Sequence, residues 1–572
     1  MSVDPKSSSA ESDHPAIINV GEQGWSASRN IPHSEQYGNT YWIGTCYERA
    51  DAALEWEIQD MKDMPYLQHV KMLSKSWKTL RHLADFMEVG TSPLQWRYLK
   101  KNPDEQKERC ERTNITLIEY RSENVPKTTS ITSANKLRDT LDSITHDSSN
   151  PPPLRMFIVE DLSRTVIEQL GSRFDVDPLF FREQIEDYVW HNTRDPWATP
   201  PSLTASTKQR SWFRLRNLRL RYHDTGTSFQ NAKREANMWN VLRRPDNDNN
   251  HWPHKDAVND GEEDVVSLTR TRTTIWIGQD KKGGNGTVGI VLLDPTLTDG
   301  KPLWYDRMNW LPTTSMEHGP PPVLDLSQSW YKDIVQMTTA FPWSESAAGH
   351  TVESQVLTYP TIYTVCAEWL IVCDYVKTRL NQIEWEVELP AVFRSKGDTI
   401  DGSLKRLHTW RRYIPIFREM ISETLEQALP VAVRLTTAPN AQLPQLEAFD
   451  SIKPDFERIL RMLDELQARI DRLTDLVTSE ISIEDSKFNY VQTSILGRLT
   501  WLATTFIPLS FVSAFFSMNE DVSALKDTYG WFFLTAIPFT ICVLLFAYLA
   551  ANDFFHLPMV KRRMRRKRVK LS

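Results

Sequence analysis

The sequence predicts an α/β cytosolic N-terminal domain, followed by a long stalk helix that continues into a two-helix transmembrane hairpin. Three observations lead to this fold class. Strand and helix patterns alternate through most of the chain, an apolar heptad follows Pro454, and two uncharged stretches lie close to the C-terminus. The chain as a whole is polar, with a mean hydropathy of −0.46 over 572 residues.

The composition describes a folded protein with an acidic body and a basic end. Hydrophobic residues make up 40% of the chain and charged residues 25%, which is ordinary for a folded domain. The net charge is −7, although residues 561–570 alone hold eight Lys or Arg. The rest of the chain is therefore strongly acidic. Such a body favours cations over nucleic acid as partners.

The N-terminus and the cysteines indicate that most of the chain lies in the cytosol. The chain begins with MSVDPKSSSAESDHP, which has no apolar segment of the kind found in secretory signals. Residues 1–15 are expected to be disordered. Five cysteines without CxxC spacing predict free thiols in a reducing compartment. They are Cys46, Cys110, Cys366, Cys373 and Cys542.

Residues 16–440 are predicted to form the α/β domain. Strand patterns occur at Thr116–Tyr120, Met156–Val159, Trp212–Tyr222, Thr273–Ile277 and Val288–Leu293. The main helical patterns are Arg164–Phe174, Val365–Trp385 and Leu404–Ala428. Two segments rich in Pro, Ser and Thr are predicted linkers, namely Asp147–Pro153 and Pro196–Thr207.

One nucleotide-binding pattern in this domain is rejected. Residues 284–289 read GNGTVG and match GxGxxG, but a second strand pattern follows instead of a helix start. Glycines between two strands are typical of a hairpin loop. No Walker A, HExxH, GxSxG or paired-carboxylate motif occurs either, so the sequence predicts neither an enzyme nor a cofactor.

From Pro454 the pattern becomes that of a stalk helix, predicted over residues 454–498. Proline fits the first turn of a helix, and no helix breaker occurs before Gly497. Apolar residues recur at alternating intervals of four and three, the spacing of a seam that packs on other helices. These residues are Ile459, Leu463, Leu466, Ile470, Leu473 and Val477. The helix is expected to continue into the first uncharged stretch, with a break near Ser479–Ser486 as the alternative.

Two uncharged stretches are long enough to cross a bilayer core, which takes about 20 helical residues. The first has 21 residues, Leu499–Asn519, and the second has 25, Thr528–Asn552. A buried helical hairpin in a soluble protein is the alternative. The predicted segments are transmembrane helices at 499–519 and 530–552, an outer loop at 520–529 and a cytosolic tail at 553–572.

A third apolar run, which begins at Thr361 and reads TIYTVCAEWLIVCDYV, is not predicted to cross the membrane. It carries Glu368 and Asp374, and both would be costly in lipid. We interpret it as a buried helix of the α/β domain.

The distribution of charge predicts the orientation of the two spans. The connecting loop contains Glu520, Asp521 and Asp527 against Lys526, whereas the tail reads KRRMRRKRVK. By the positive-inside rule, the tail lies in the cytosol and the loop lies outside. Both termini are therefore expected in the cytosol.

Small or slim residues of the first span fall on one face of a helical wheel. They are Leu499, Ala503, Ile507, Ser510, Ala514 and Ser517. Bulky residues such as Trp501, Phe506 and Phe515 lie largely elsewhere. Such a face lets membrane helices approach closely or lines a narrow pore. The stripe alone leaves both interpretations open.

The first span ends, on its outer side, in Ser517-Met518-Asn519. A helix C-terminus carries unpaired carbonyls and about half a negative charge. With an Asn amide oxygen added, several copies together would form a neutral, oxygen-rich ring. Such a ring suits a hard cation that keeps its water shell, and Mg²⁺ dehydrates reluctantly. These three residues are the candidate ion-selectivity residues.

The segment LTWLATTFIPLSFVSAFFSMN, with its acidic loop, second apolar span and basic C-terminus, resembles the CorA-type magnesium transporter family. That family is marked by a Gly-Met-Asn tripeptide that closes the first of two C-terminal spans, with a Pro-Leu inside that span. Pro508, Leu509, Met518 and Asn519 match this pattern. A weaker likeness covers Val166–Tyr188, which is similar to a cytosolic helical segment of the family.

The resemblance implies a CorA-like homopentamer that moves divalent cations, magnesium in first place, across a lipid bilayer. The first span would line the pore, with Leu499 and Ile507 at apolar gates and Asn519 in the outer selectivity ring. Ala503, Ser510 and Ala514 complete the pore-lining stripe. The basic tail would surround the cytosolic mouth.

Two positions depart from the family pattern. Ser517 replaces the glycine of the tripeptide and lacks the backbone freedom of glycine, and Thr493 stands at a cytosolic-side position that is often Asn in the family. The alternative function is therefore a membrane-anchored interaction or sensor protein that keeps the fold without conducting ions.

The charge asymmetry generates a prediction about topology. A tag placed after Ser572 is expected to be protected in sealed cells, because basic residues stay on the cytosolic side. A tag in the loop near Ser523 is expected to be accessible from outside. Protease or antibody accessibility of both tags in intact and permeabilised cells measures this. Exposure of the C-terminal tag in intact cells would contradict the predicted orientation.

Overall fold

The computed structural model describes residues 56–551 apart from several gaps. The gaps are 57, 59, 92–95, 121–125, 147–153, 186–201, 244, 250–264, 283–285, 304–315, 317–328, 341–353, 390–399, 437–443 and 519–524. The predictions for residues 1–15, for Cys46, for Asp147–Pro153 and for the first half of Pro196–Thr207 lie outside the described residues. By its internal contacts the chain divides into two compact units, Met1–Leu473 and Thr474–Ser572.

An eight-stranded sheet forms the framework of the first unit. Its strands are β1 Ile115–Tyr120, β2 Lys127–Ile131, β3 Leu154–Glu160, β4 Trp212–His223, β5 Pro245–Asn249, β6 Val265–Gln279, β7 Thr287–Leu293 and β8 Lys301–Pro302. The order is β2-β1-β3-β7-β6-β4-β8, and β5 pairs with β6 beside this path. Only the β3–β7 pair is parallel among the described pairs. The five predicted strands are confirmed, whereas β2, β5 and β8 were not predicted.

The glycine-rich segment is a hairpin loop, as predicted. Strands β6 and β7 are antiparallel, with Gln279 opposite Thr287 at the loop end. The Asp280 amide donates to the Gly286 carbonyl at 2.9 Å and closes the turn. A helix that could hold a pyrophosphate at its N-terminus does not follow, because the chain continues directly into β7.

Helices pack around the sheet and continue after it. In the first part of the chain they are α1 Pro65–Ser74, α2 Arg81–Val89, α3 Trp96–Lys101, α4 Pro103–Glu111, α5 Ala134–His146, α6 Arg164–Phe174, α7 Pro178–Ile185, α8 Thr204–Thr207 and α9 Gly226–Met238. Later helices are α10 Trp330–Ala340, α11 Tyr359–Glu388, α12 Ile400–Glu423, α13 Leu429–Thr436, α14 Pro444–Phe516 and α15 Leu525–Ala551. The predicted helix Leu404–Ala428 corresponds to most of α12 and to the π-helical turn Thr424–Ala428 that follows it.

The apolar run that begins at Thr361 is a buried helix of the first unit, as predicted. It lies inside α11, where Ile362, Val365 and Trp369 are completely buried. Of its two acidic residues, Asp374 is exposed, whereas Glu368 is buried and lies 3.5 Å from the guanidinium of Arg219 on β4. The carboxylate of Glu368, which made a position in lipid costly, is therefore paired with a buried arginine of the first unit.

The apolar core of the first unit lies between the sheet and the helices α1, α2, α5, α6 and α7. A carboxylate fixes α1 in this core. Both oxygens of Glu168 on α6 accept from the first amides of α1, Tyr66 N at 2.7 Å and Leu67 N at 2.9 Å. The residue before α1, Met64, offers no side-chain cap. Glu168 therefore satisfies amides that the local sequence leaves open.

The helix α14 is continuous over 73 residues, which excludes the break near Ser479–Ser486. The serines there donate back into the helix instead, for example Ser482 Oγ to the Thr478 carbonyl at 2.9 Å and Ser486 Oγ to the Ser482 carbonyl at 2.7 Å. The predicted start at Pro454 is wrong. The helix begins at Pro444, which supplies the same first-turn signal earlier in the chain.

The heptad seam of α14 is buried over its whole length, since Ile459, Leu463, Ile470 and Val477 are fully buried and Leu466 and Leu473 nearly so. Ion pairs flank the seam inside the first unit. Arg418 on α12 lies 2.5 Å from Asp464, and Arg469 pairs with Glu384 on α11. The part of the seam that lies in the first unit, from Ile459 to Leu473, therefore packs on helices of its own chain, which the heptad pattern alone did not specify.

A buried carboxyl group makes the stability of the first unit depend on pH. Asp85 on α2 is 5% exposed and lies in a helix with the buried residues His82 and Glu88. Burial first, and then the charge of Glu88, raise the pKa of Asp85 to about 7, although Arg81 and Lys71 act in the opposite direction. The folded protein therefore binds a proton that the unfolded chain has released between about pH 4 and pH 7.

Asp85→Asn is expected to stabilise the protein at high pH. Because the folded state holds the proton more tightly, the free energy of unfolding of the wild type falls as the pH rises from about 4 to about 7. The neutral amide removes this loss, so the variant gains about 2 to 4 kcal/mol at pH 8 and little at pH 4. Urea unfolding of the detergent-solubilised protein at both pH values measures the difference.

The matched control is the same exchange at Asp175, whose side chain is 87% exposed. Asp175→Asn is expected to leave the pH dependence unchanged. A stability change of equal size at pH 4 and pH 8 in Asp85→Asn would show that Asp85 does not titrate in the folded state over this range.

Candidate ion pathway

The second unit contains the predicted spans. Two helices of the described residues are long and apolar enough to cross a membrane, within Ser451–Phe516 and Gly530–Leu549. Large apolar side chains on both are turned outward, including Phe506 at 60% exposure and Leu534 at 63%. An exposed apolar surface of this extent is unusual for a soluble protein and suits a lipid environment. The predicted outer loop and basic tail lie largely outside the described residues.

The two helices contact each other through a face of α14 that the sequence analysis did not predict. Pro508 and Val512 are buried on α14, and Ala536 is completely buried on α15. Aromatic rings flank this contact, with centroids 6.3 Å apart for Phe511 and Phe539. The available sequence signal was the spacing of four between Pro508 and Val512 on one face of the helix.

The predicted pore-lining stripe lies on the opposite side of α14. Leu499 is 57% exposed and Ile507 is 66% exposed. The other members are exposed as well, namely Ala503, Ser510, Ala514 and Ser517. At about 100° per residue, the stripe centres about 180° away from Val512. The structure thus places the six stripe residues on one exposed side of α14, with Ile507 at the edge nearest to α15.

Hydroxyl groups of α14 are satisfied within the helix. Thr504 Oγ1 donates to the Thr500 carbonyl at 2.7 Å, Thr505 Oγ1 to the Trp501 carbonyl at 2.8 Å, and Ser510 Oγ to the Phe506 carbonyl at 2.5 Å. Each bond reaches back four residues, a pattern typical of Ser and Thr in membrane helices. These three hydroxyls therefore add no unsatisfied donor in an apolar surrounding.

A cavity of about 420 Å³ lies beside the contact of the two helices. Its wall is almost entirely apolar and consists of Thr504, Ile507, Pro508, Phe511, Phe539 and Val543. No carboxylate, amide or imidazole lines it. The Thr504 hydroxyl is the polar side-chain group of this wall, and one oxygen is too few to hold a cation.

The helix ends at Phe516, and two of the three candidate selectivity residues follow in a turn. The Ser517 amide donates to the Ser513 carbonyl at 3.0 Å, and the Met518 side chain is 81% exposed. Asn519 lies outside the described residues.

Ser517 takes an ordinary backbone conformation. Among the described non-glycine residues, only Asp161 and Asp175 have positive φ angles. Ser517 therefore does not need the left-handed region that favours glycine. The expected loss of backbone freedom at this position carries no conformational cost in the structure.

The electrostatics of the pathway come from its ends and not from its wall. Residues 499–516 carry no charge, whereas Arg498 immediately precedes them. Glu480, Glu484, Asp485 and Lys487 lie earlier on the same helix. No group of three or more His, Cys, Asp or Glu side chains that would hold a metal ion occurs within the described part of the chain. An ion that follows the stripe would therefore meet hydroxyl, methyl and backbone groups and keep its water.

These features define an α/β protein with a two-helix membrane hairpin. Residues 349–556 match the family model described as CorA-like Mg²⁺ transporter protein. This match confirms, for the C-terminal part of the chain, the resemblance seen in the sequence. No curated protein sequence matches the chain.

Two solved structures are similar at low identity. The complete structure of the CorA magnesium transporter from Methanocaldococcus jannaschii is 11% identical with a TM-score of 0.37, covering 76% of this chain and 96% of that one. The full-length CmaX protein is 12% identical with a TM-score of 0.33, covering 77% and 98%.

The two faces of α14 generate a prediction about water accessibility. In a Cys542→Ala background, Ser510→Cys and Ala514→Cys are expected to react with a charged, water-soluble thiol reagent, because an aqueous pathway would follow the stripe. Val512→Cys is expected to react at least about tenfold more slowly, since it is buried against α15. Labelling rates in membrane vesicles measure the difference.

Phe533→Cys on α15 is the control that distinguishes a position exposed to water from a position exposed to lipid. Phe533 is 55% exposed, but an outward position on the second helix is expected to face lipid and to stay unlabelled. Equal labelling of Phe533→Cys and Ser510→Cys would contradict an aqueous pathway along the stripe.

Proposed function

We propose that this protein transports divalent cations, magnesium in first place, through a homo-oligomeric pore lined by α14. The observation that carries the proposal is the position of the stripe. Its six residues face away from α15 on a helix whose other side is occupied. The match of residues 349–556 to a magnesium transporter family supports the cation class.

Several copies of the chain are needed to close such a pore, and the resemblance implies five. Ala503, Ser510 and Ala514 are small enough for neighbouring α14 helices to approach closely. Leu499 and Ile507, with larger apolar side chains, would narrow the pathway and act as gates by excluding water. The uncharged wall is compatible with passage of a hydrated ion, which needs no direct ligand.

The outer mouth would select the ion. The last carbonyls of α14 point toward the end of the helix and carry about half a negative charge. Asn519 follows Phe516 by three residues in the sequence and would add one amide oxygen per copy. Hydrogen bonds from metal-bound water to these oxygens would hold the hydrated ion without stripping it. The acidic residues of the loop, Glu520 and Asp521, would raise the local concentration of cations.

The membrane potential suffices as a driving force. Two positive charges moving inward across 100 mV release about 4.6 kcal/mol, at about 2.3 kcal/mol for each charge. This corresponds to an accumulation of more than about a thousandfold at equilibrium. No energy-coupling site is required.

A non-conducting membrane-anchored protein is the second candidate, since Ser517 departs from the family tripeptide. A transport assay distinguishes the two candidate functions. Variants of the residues at the outer mouth give the clearest difference.

Asn519→Ala is expected to abolish magnesium uptake while folding and assembly survive. The exchange removes one acceptor per copy, and a hydrogen bond to a charged species contributes roughly 1.5–3 kcal/mol. Repeated around the ring, the loss reduces uptake by at least about tenfold. Uptake into proteoliposomes with a magnesium-sensitive dye measures flux, and size-exclusion chromatography in detergent measures assembly. Asn231→Ala, at an exposed site on α9, is the matched control and is expected to transport like the wild type.

Ser517→Gly tests the outer mouth by restoring the glycine of the family tripeptide. Because Ser517 already takes an ordinary backbone conformation, this variant is expected to keep the flux or raise it. If neither the wild type nor Ser517→Gly carries any divalent cation, the anchored interaction or sensor protein becomes the better account.

A further inference from the structure

The cavity beside the contact of the two membrane helices has the size of a small-molecule binding site. Its volume of about 420 Å³ lies within the range of about 300–1,000 Å³ that is typical of ligand pockets. The lining residues come from the middle of each predicted span, between Thr504 and Phe511 on α14 and between Phe539 and Val543 on α15. In a bilayer, the cavity is therefore surrounded by hydrocarbon and not by water.

The aromatic part of the wall leaves the cavity open. The ring centroids of Phe511 and Phe539 are 6.3 Å apart, and the two side chains are 65% and 44% exposed. A molecule dissolved in the bilayer can therefore enter the cavity without a rearrangement of the helices. Because lipid chains are as apolar as this wall, apolar contacts alone favour a ligand only weakly over lipid. Selectivity has to come from a polar group.

One backbone carbonyl at the cavity lacks its regular helical donor. In an uninterrupted helix the amide of residue 508 would bond the carbonyl of Thr504, but Pro508 has no amide proton. Thr504 and Pro508 both line the cavity. An unpaired carbonyl is costly in hydrocarbon, where no water replaces the missing donor. A ligand that brings a donor to Thr504 is therefore favoured over one that brings none.

The side chains of the wall do not supply this donor. The Thr504 hydroxyl donates its proton to the Thr500 carbonyl at 2.7 Å, so its oxygen offers lone pairs only. The other five lining residues carry hydrocarbon side chains. The wall thus presents acceptors without a matching donor, on a surface that is otherwise apolar. This pattern is complementary to a molecule with an apolar body and one hydroxyl group.

We propose that this cavity binds a small hydrocarbon with a single hydroxyl group, of the class of the medium-chain alkanols. The hydroxyl donates to the Thr504 carbonyl, and the chain lies against Phe511 and Phe539. A lipid acyl chain brings no donor, and a helix of a second copy has already used its amides within its own backbone. The proposal concerns the helix hairpin alone and does not depend on ion transport.

Photolabelling of the full-length protein in liposomes tests the proposal, with an octanol that carries a diazirine as the probe and mass spectrometry to locate the label. The label is expected on the peptides that contain Phe511 and Phe539. Unlabelled octanol is expected to compete about two- to tenfold better than octane at the same membrane concentration, because only octanol donates a hydrogen bond. Pro508→Ala restores the amide that pairs with Thr504, so octanol and octane are expected to compete equally in this variant.

Two tryptophan variants of α15 form a matched pair. Val543→Trp fills the cavity and is expected to abolish the label, whereas Leu545→Trp adds the same ring at a position that is 56% exposed and outside the wall, and is expected to label like the wild type.

Should Pro508→Ala fail to fold, the comparison of octanol with octane in the wild type still decides. Equal competition by octane in the wild type would show that the cavity holds any hydrocarbon chain, and it would overturn the proposal. Labelling that appears only after the protein is dissociated in a harsh detergent would show that a second copy fills the cavity, and the absence of any saturable label would exclude a site. Either result would also overturn it.

Discussion

The continuity of the helix α14 is the constraint on which the candidate pathway depends. A helix turns about 100° per residue, so continuity fixes which side chains share a face. Pro508 lacks an amide proton, and it lies on the buried face beside α15, where a neighbouring helix replaces water. The uncovered face keeps its complete backbone pattern. The stripe can therefore face copies of the same chain without a structural defect.

The first unit is constrained differently, because many of its charged side chains are buried. Arginines and carboxylates pair between its strands and its helices. Arg219 on β4 lies 3.5 Å from Glu368 on α11, and Arg379 on α11 lies 2.6 Å from Asp248 on β5. Removing either partner of such a pair leaves an uncompensated buried charge. Apolar packing and ion pairs together therefore set the positions of the helices on the sheet.

Periodic features were predictable from the sequence, and features that depend on distant partners were not. β3 and β7 are rich in apolar residues and stand out locally, whereas β5 reads PDNDN and becomes a strand only by pairing with β6. The early start of α14 at Pro444 was missed because Pro454 carries the same local signal. The stripe was predictable because its residues recur with the period of a helix. The face toward α15 was not predictable, because it depends on the position of a second helix.

The hydroxyl of Ser510, which donates back into its own helix, bears on which sign of charge the proposed pathway would accept. Its only proton is committed to the Phe506 carbonyl, so the oxygen can offer lone pairs alone to anything that passes. A water molecule beside it must turn a hydrogen toward the wall and its own oxygen away. Water oriented in this way solvates a cation and opposes an anion. Discrimination between cations and anions can thus arise at Ser510 without a charged residue.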